Sequence, residues 1–287
     1  MPQPDARVVP TDRGPFTLRL VGDPAARVIV LYIHGGHSSC REVFSVDALA
    51  AAGLAVLVPT RPGYPGTPTW VGETAEAAAD SLAALLSALA IERVAALGVS
   101  AGGPTALHLC ARHPSRVTRL ALACAVTKTW VERSDPQYRL MRRLFGRGQA
   151  ALWAALRGLV AIAPRRVARS MLAPLCAAPI DEVMARLDAR DLEAIRQLIL
   201  RQSSGRGFLL DLEHRVAPAV LEELRAPTLI VHSRRDASVP FAHAEHARAH
   251  IKGATIVEAP TLGHLLWVGP GRDVVDRELI AFFRGSS

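Results

Sequence analysis

The sequence predicts an α/β protein: a mostly parallel central sheet flanked by helices, interrupted by an all-helical insertion. Three observations carry this. Short β-rich runs alternate with helical stretches through the first 126 residues, the rhythm of strand–helix–strand crossovers. The rhythm stops between 128 and 215, where no strand-like run occurs and Pro164, Pro174 and Pro179 separate helical patterns. It resumes at 226. The expected division is therefore 1–127 as the first part of the core, 128–216 as the insertion and 217–287 as the second part.

Each element has its own signal. Residues 27–33 (RVIVLYI) and 54–58 (LAVLV) are near-continuous apolar runs, as in strands covered on both faces. Residues 74–89 are Ala/Leu-rich and predict a helix. A strand is expected over 93–99, a helix over 101–113 stopped by Pro114, and a strand over 120–126. After the insertion come a strand at 226–232, a helix at 241–251, a strand at 254–258 and a final helix at 273–283.

Composition narrows the function class. Half of the 287 residues are hydrophobic and 21% are charged, which specifies a folded chain with a large core. No apolar run reaches the roughly 18 residues of a membrane span, and the nearest, 150–163, is broken by Arg157. The start lacks a basic segment followed by an apolar one, so no signal peptide is expected and a cytoplasmic location is. Cys40, Cys110, Cys124 and Cys176 share no CxxC spacing, which argues against a cysteine-based zinc site and for reduced thiols. The net charge of +8 does not read as nucleic-acid binding. All basic residues but Lys128 and Lys252 are arginine, and they are scattered without interleaved aromatics. Residues 128–215 hold sixteen basic and nine acidic side chains, so the excess charge lies on the insertion.

The chemistry begins at Gly98-Val99-Ser100-Ala101-Gly102, a G-x-S-x-G pentapeptide. Three fixed positions recur by chance in roughly one chain in ten of this size, so context carries the weight. Here a strand runs straight into Ser100 and a helix starts at Ala101. Such a turn forces strained backbone on the serine, and the flanking glycines let neighbouring backbone pass without a Cβ clash. The hydroxyl is lifted clear of the sheet at a helix N-terminus.

A serine hydroxyl needs a base, and the base an orienting acid. His264 follows the last predicted strand, and Asp236 follows the strand at 226–232. Both sit at carboxyl ends of strands, where open α/β sheets place their sites. The alternative acid position, after the strand ending at Val126, offers no carboxylate in Thr127-Lys128-Thr129-Trp130-Val131. Gly35-Gly36 follows the first apolar strand, and backbone N–H groups of Gly36 and Ala101 are assigned as an oxyanion hole. His34 is expected to be structural. His37 is a candidate substrate contact.

These residues resemble the α/β-hydrolase superfamily in its form with a helical cap. The matching pieces are His34-Gly35-Gly36, Arg61-Pro62-Gly63-Tyr64, the Ser100 turn, Asp236 with Val239-Pro240, and Gly263-His264. The second piece departs by continuing Pro65-Gly66-Thr67 where members usually continue Gly-x-Ser. A serine nucleophile argues against the epoxide hydrolase and haloalkane dehalogenase branches. The resemblance implies that the insertion roofs the site and sets specificity. Trp130, Trp153, Leu152, Leu156, Val160 and Met171 are candidates for an apolar roof, and Tyr64, Trp130 and Trp153 for substrate contact. Arg142, Arg143, Arg147, Arg165, Arg166 and Arg169 read as solvated helix faces, or else as attractors of an anion. His243, His246 and His250 read as a solvent-facing helix rather than a metal site.

The expected function is a cofactor-independent serine hydrolase cleaving an ester, thioester or related acyl bond of a small molecule. No metal, cofactor or nucleic acid is expected, and the sequence does not set the oligomeric state. A carbon–carbon bond hydrolase or a proline-type aminopeptidase uses the same triad. An aminopeptidase would want cap carboxylates such as Glu132, Asp135, Asp181 or Glu182. A non-catalytic ligand receptor on the same scaffold is the alternative of a different class.

Overall fold

The computed structural model describes residues 6–285. Its sheet has eight strands: β1 (Arg7–Val9), β2 (Phe16–Val21), β3 (Ile29–Ile33), β4 (Ala55–Pro59), β5 (Val94–Val99), β6 (Val117–Ala123), β7 (Thr228–His232) and β8 (Thr255–Glu258). Their spatial order is β1-β2-β4-β3-β5-β6-β7-β8. β2 runs antiparallel to β1 and β4, and the other pairs are parallel. The helices are α1 (Val46–Ala51), α2 (Ala75–Ala88), α3 (Gly103–Arg112), α4 (Pro136–Leu144), α5 (Gln149–Ile162), α6 (Pro164–Leu172), α7 (Ile180–Ala185), α8 (Ala189–Arg201), α9 (Gly207–Asp211), α10 (Pro218–Glu222), α11 (Ala242–His250) and α12 (Arg272–Arg284).

Strand periodicity explains why the apolar runs are continuous. Successive side chains alternate between faces, and both faces are covered. Val30, Tyr32, Val56, Val58, Leu97 and Val231 enter one buried cluster with α1 and α12. Leu31, Ile33, Leu57, Ala96, Leu122 and Ile230 enter the other with α2, α3 and α11. Thr74 caps α2 by accepting the Ala77 N–H, which sets that helix's start. Gly98 lies opposite Ile33 in the β3–β5 register, and Glu258 opposite His232 in β7–β8. The loops after β3, β5, β7 and β8 therefore emerge along one edge of the sheet.

Three local features differ from expectation. β1 and β2 were not expected. β2 reads poorly because Thr17 and Arg19 interrupt its apolar residues; Thr17 bonds Gly66 O and buried Arg19 bonds Glu42 O at 2.9 Å. β6 spans Val117–Ala123 rather than 120–126. The apolarity of 124–126 reflects burial beside the serine turn: Cys124 turns the chain at φ 42° and Val126 N–H bonds Ser100 O. On α11, His243 is buried, not solvent-facing, and its Nδ1 accepts the Thr127 N–H at 3.1 Å. His246 and His250 do share a face, with ring centroids 4.7 Å apart. Among the described residues no cluster of three or more metal-ligating side chains occurs, and no helix is long and apolar enough to cross a membrane.

Helices α4 to α10 fill the chain between β6 and β7. Val160, Val167, Leu172, Ile195 and Leu198 are buried in the same cluster as one face of the sheet. Polar ties fix the rest. Arg272 reaches Asp188 and Asp191 of the α8 capping box at 2.9 and 2.7 Å. Leu175 O accepts the His264 N–H at 2.9 Å, and Cys176 bridges Asp236. Gly63 O accepts N–H bonds from Arg206 and Gly207, both 2.9 Å. Beside it, Arg61 makes a bidentate pair with Asp211 of α9 at 2.6 and 2.8 Å. Both side chains of the pair are nearly inaccessible, at 3% and 1% exposure.

Removing one partner of a buried pair strands the other charge, at a cost of about 3–5 kcal/mol. Asp211→Ala is expected to lose about that much stability by urea denaturation. A loss under about 1 kcal/mol, the size of an exposed pair, would show that the contact does not fasten α9 to the core.

Candidate active site

The turn at Ser100 has the geometry its glycines permit. Ser100 sits at φ 50°, a left-handed conformation unusual for a residue with a side chain. A Cβ on Gly102 would lie 2.2 Å from Ile33 O, and one on Gly98 would lie 2.7 Å from Ala106 Cβ. The β3 backbone and the Ala106 side chain are therefore packed against the turn from its two sides. A 3₁₀ turn, Ser100–Gly102, follows directly and leads into α3.

The structure brings the three expected triad residues together. Ser100 Oγ lies 2.9 Å from His264 Nε2. His264 Nδ1 lies 2.7 Å from Asp236 Oδ2. The arrangement assigns the protons: Ser100 O–H donates to Nε2, and Nδ1–H donates to the carboxylate. Asp236 Oδ1 accepts the N–H groups of Ser238 and Val239 at 2.9 and 2.8 Å. Burial works to raise the Asp236 carboxyl, but His264, His232 and the Val239 N–H outweigh it and hold it at about 2. His232 Nε2 donates to Val239 O at 2.8 Å, which braces the loop carrying the acid.

The Gly36 donor is oriented through its own peptide plane. In a trans peptide the C=O and the N–H point opposite ways. Gly35 O accepts from His34 Nδ1 at 2.8 Å and from Arg61 at 3.2 Å. The Gly36 N–H is thereby turned away from Arg61. A Cβ on Gly35 would lie 3.1 Å from Ser100 Cβ, so this loop runs directly beside the serine. Ala101 lies in the first turn of a 3₁₀ helix, where N–H groups have no intrahelical acceptor. Gly36, Ala101 and Ser100 line one cavity.

His34 is structural, as expected. Its Nε2 accepts the Arg61 N–H at 3.0 Å, and burial, with the Arg61 charge, lowers its pKa to about 3. Tyr64 is a correction. It is buried, donates its hydroxyl to Asp211 and does not line the cavity, so it belongs to the Arg61–Asp211 contact and not to a substrate surface. His37, Trp130 and Trp153 do line the cavity.

That cavity has a volume of about 470 Å³. Leu152, Leu156 and Met171 also line it, as expected, whereas Val160 is packed in the core. Sequence reasoning missed α4, whose Leu140, Met141 and Leu144, with Phe145 directly after its end, line the cavity at i, i+1, i+4 and i+5. That spacing marks one helix face. Leu140 and Leu144 are 55% and 43% exposed, which places the mouth beside α4. None of the described arginines lines the cavity. The six arginines considered above are exposed, Arg142 on the Tyr138 hydroxyl and Arg169 on Asp181. The one lining carboxylate, Glu42, is occupied by Ser38 Oγ and the N–H groups of Val43 and Phe44.

Known proteins share this organisation. A family model described as alpha/beta hydrolase fold matches residues 28–270. An uncharacterized hydrolase, YcgS, of Bacillus subtilis is 36% identical over 243 residues, covering 84% of this chain and 86% of the relative. A pimeloyl-[acyl-carrier protein] methyl ester esterase of Aromatoleum aromaticum is 31% identical over 249 residues, covering 82% and 90%. Among solved structures, an alpha/beta hydrolase fold protein from Nakamurella multipartita superposes with a TM-score of 0.78 at 27% identity, covering 99% of this chain and 100% of that one. An esterase from Exiguobacterium antarcticum superposes at 0.70 with 18% identity, covering 98% and 100%, which is a likeness of fold. With the family model matched over most of its length, the chain belongs to the α/β-hydrolase fold family.

Proposed function

We propose that the protein is a serine hydrolase that cleaves an ester or thioester of an uncharged, largely apolar small molecule through an acyl-enzyme. The observation that carries this is the continuous hydrogen-bonded line from Ser100 Oγ through His264 to Asp236, opening into an apolar cavity. The relative named as a methyl ester esterase supports an ester bond.

In this reading His264 Nε2 takes the Ser100 proton as Oγ attacks the carbonyl carbon. Asp236 holds the ring in the tautomer that leaves Nε2 free and stabilises the imidazolium. The N–H groups of Gly36 and Ala101 stabilise the oxyanion, each such donor contributing roughly 10²–10³ in rate. His264 returns the proton to the departing alkoxide or thiolate. It then activates a water that releases the acid and restores Ser100. Helices α4 to α8 act as the cap over the site. None of their arginines lines the cavity, so the cap offers apolar contact and no cationic charge to the bound group.

The aminopeptidase alternative gains no support. Glu132, Asp135, Asp181 and Glu182 do not line the cavity, and Glu42 is already occupied. A receptor reading leaves the aligned proton line and the aimed oxyanion donors without a purpose.

Ser100→Ala is expected to lower kcat on p-nitrophenyl hexanoate by at least about 10⁴ while the far-UV dichroism stays unchanged. Retention of more than a few per cent activity would remove Ser100 from the role. An alkyl ester is expected to exceed a chain-matched ester with a terminal carboxylate by at least about tenfold in kcat/KM, since burying an unpaired charge is costly. Equal rates would refute the uncharged-substrate assignment. Asp236→Asn is expected to lose about 10⁴ in kcat by offering the imidazole the wrong tautomer.

The depressed Asp236 carboxyl also links to stability. Its folded value is about 2 against 3.8 unfolded, so its contribution is full above the unfolded value and fades as pH falls toward 2. The stability gap between wild type and Asp236→Asn, measured in urea, is expected to be widest at neutral pH and to close in acid. A gap independent of pH would contradict the assigned ionisation.

A further inference from the structure

His37 stands immediately after the Gly36 donor and is held unlike an exposed loop residue. Its backbone is at φ 62°, a left-handed conformation that a side-chain-bearing residue rarely adopts. Such strain persists only where the surroundings over-determine it. The surroundings here come from the inserted segment. His37 O accepts the Ser203 N–H at 2.8 Å. Its Nδ1 lies 2.7 Å from Ser204 Oγ. The ring stacks on Phe208 with centroids 4.0 Å apart, and packs in a tilted arrangement against Phe145 at 4.3 Å. Burial lowers its pKa to about 3, so the imidazole is neutral. Trp153 Nε1–H donates to the same Ser204 Oγ at 2.8 Å, so one hydroxyl ties both side chains.

Residues 203–211 are themselves seated firmly. Gly63 O takes the N–H groups of Arg206 and Gly207, and Asp211 takes Arg61. A Cβ on Gly36 would lie 3.1 Å from the Phe208 ring, so the glycine's backbone is pressed against the same segment. The loop at 35–37 is thus clamped at both ends: Arg61 and His34 hold Gly35 O, and the inserted segment holds His37.

We propose that His37 is a positioning residue, anchored by Ser204, that fixes the backbone of the oxyanion loop and so aims the Gly36 N–H. The proposal rests on the serine-hydrolase reading above. Aim matters because a preorganised donor contributes only when it already points at the developing charge. Ser204 makes this aim depend on the cavity wall as well, because its hydroxyl also holds Trp153.

The test compares wild type with Ser204→Ala, His37→Gly and His37→Asn. The glycine keeps the positive φ but loses the anchor. Asparagine tolerates the same φ and retains a hydrogen-bonding side chain. Kinetics on p-nitrophenyl hexanoate are read beside the affinity of an alkyl trifluoromethyl ketone, which adds to Ser100 and places an oxyanion in the hole. Ser204→Ala and His37→Gly are expected to lower kcat about tenfold to hundredfold, to change KM less than about threefold, and to weaken the ketone by the same factor as kcat. His37→Asn is expected to recover most of the loss. A penalty on KM with kcat intact, or no change in kcat and ketone affinity, overturns the positioning role. If His37→Gly does not fold, Ser204→Ala carries the same readouts. Wild type failing to hydrolyse the ester at all overturns the underlying reading and this proposal with it, whereas normal Ser100-dependent turnover with unaffected variants overturns this proposal alone.

Discussion

The buried Arg61–Asp211 pair is the contact on which the site depends. Arg61 leaves the loop after β4 and spends its guanidinium on two other segments, the loop after β3 and α9. It binds both oxygens of Asp211, the carbonyl of His34 and the carbonyl of Gly35. A fully desolvated guanidinium is tolerable only when each face of its donor fork is satisfied. Satisfying it forces the glycine loop, the β4 loop and α9 into one arrangement. The Arg61-Pro62-Gly63-Tyr64 stretch becomes intelligible in this light. Arginine supplies the fork, Gly63 lets the 206–207 backbone approach, and Tyr64 closes the carboxylate.

The candidate triad is assembled by a different logic, that of strand ends. Ser100, Asp236 and His264 come from loops far apart in sequence that the parallel register delivers to one edge. The insertion touches the Asp236 and His264 loops directly. Leu175 O holds the His264 backbone, Cys176 bridges Asp236, and a Cβ on Gly263 would lie 2.5 Å from Cys176 Sγ. The helices that wall the cavity are therefore not a separate lid laid on a finished site. Their loops complete the backbone hydrogen bonds of the residues beneath them.

Much of this was legible in the sequence. The parallel strands were readable because both faces are buried, so apolarity is continuous through 28–33 and 229–231. The Ser100 turn was readable because steric exclusion at Gly98 and Gly102 leaves a fixed spacing. β2 was obscured because Thr17 and Arg19 are spent on loops rather than on the core. Tyr64 was misread because aromatic identity does not distinguish a pocket wall from a buried hydroxyl serving a carboxylate. Asp211, Ser204 and Phe208 carried no local signal, since their importance arises from contacts with residues about 150 or more positions away. α4 was hidden because its apolar face lines a cavity from the margin of the insertion, where an amphipathic helix looks like any surface helix.

The central claim is that Ser100 is an activated nucleophile beneath an apolar roof. Its most direct test is intact-mass analysis after exposure to an alkyl fluorophosphonate, on wild type and Ser100→Ala side by side. One adduct on wild type and none on the variant is the predicted result. No adduct on the folded wild type, or an adduct that persists on Ser100→Ala, would contradict it.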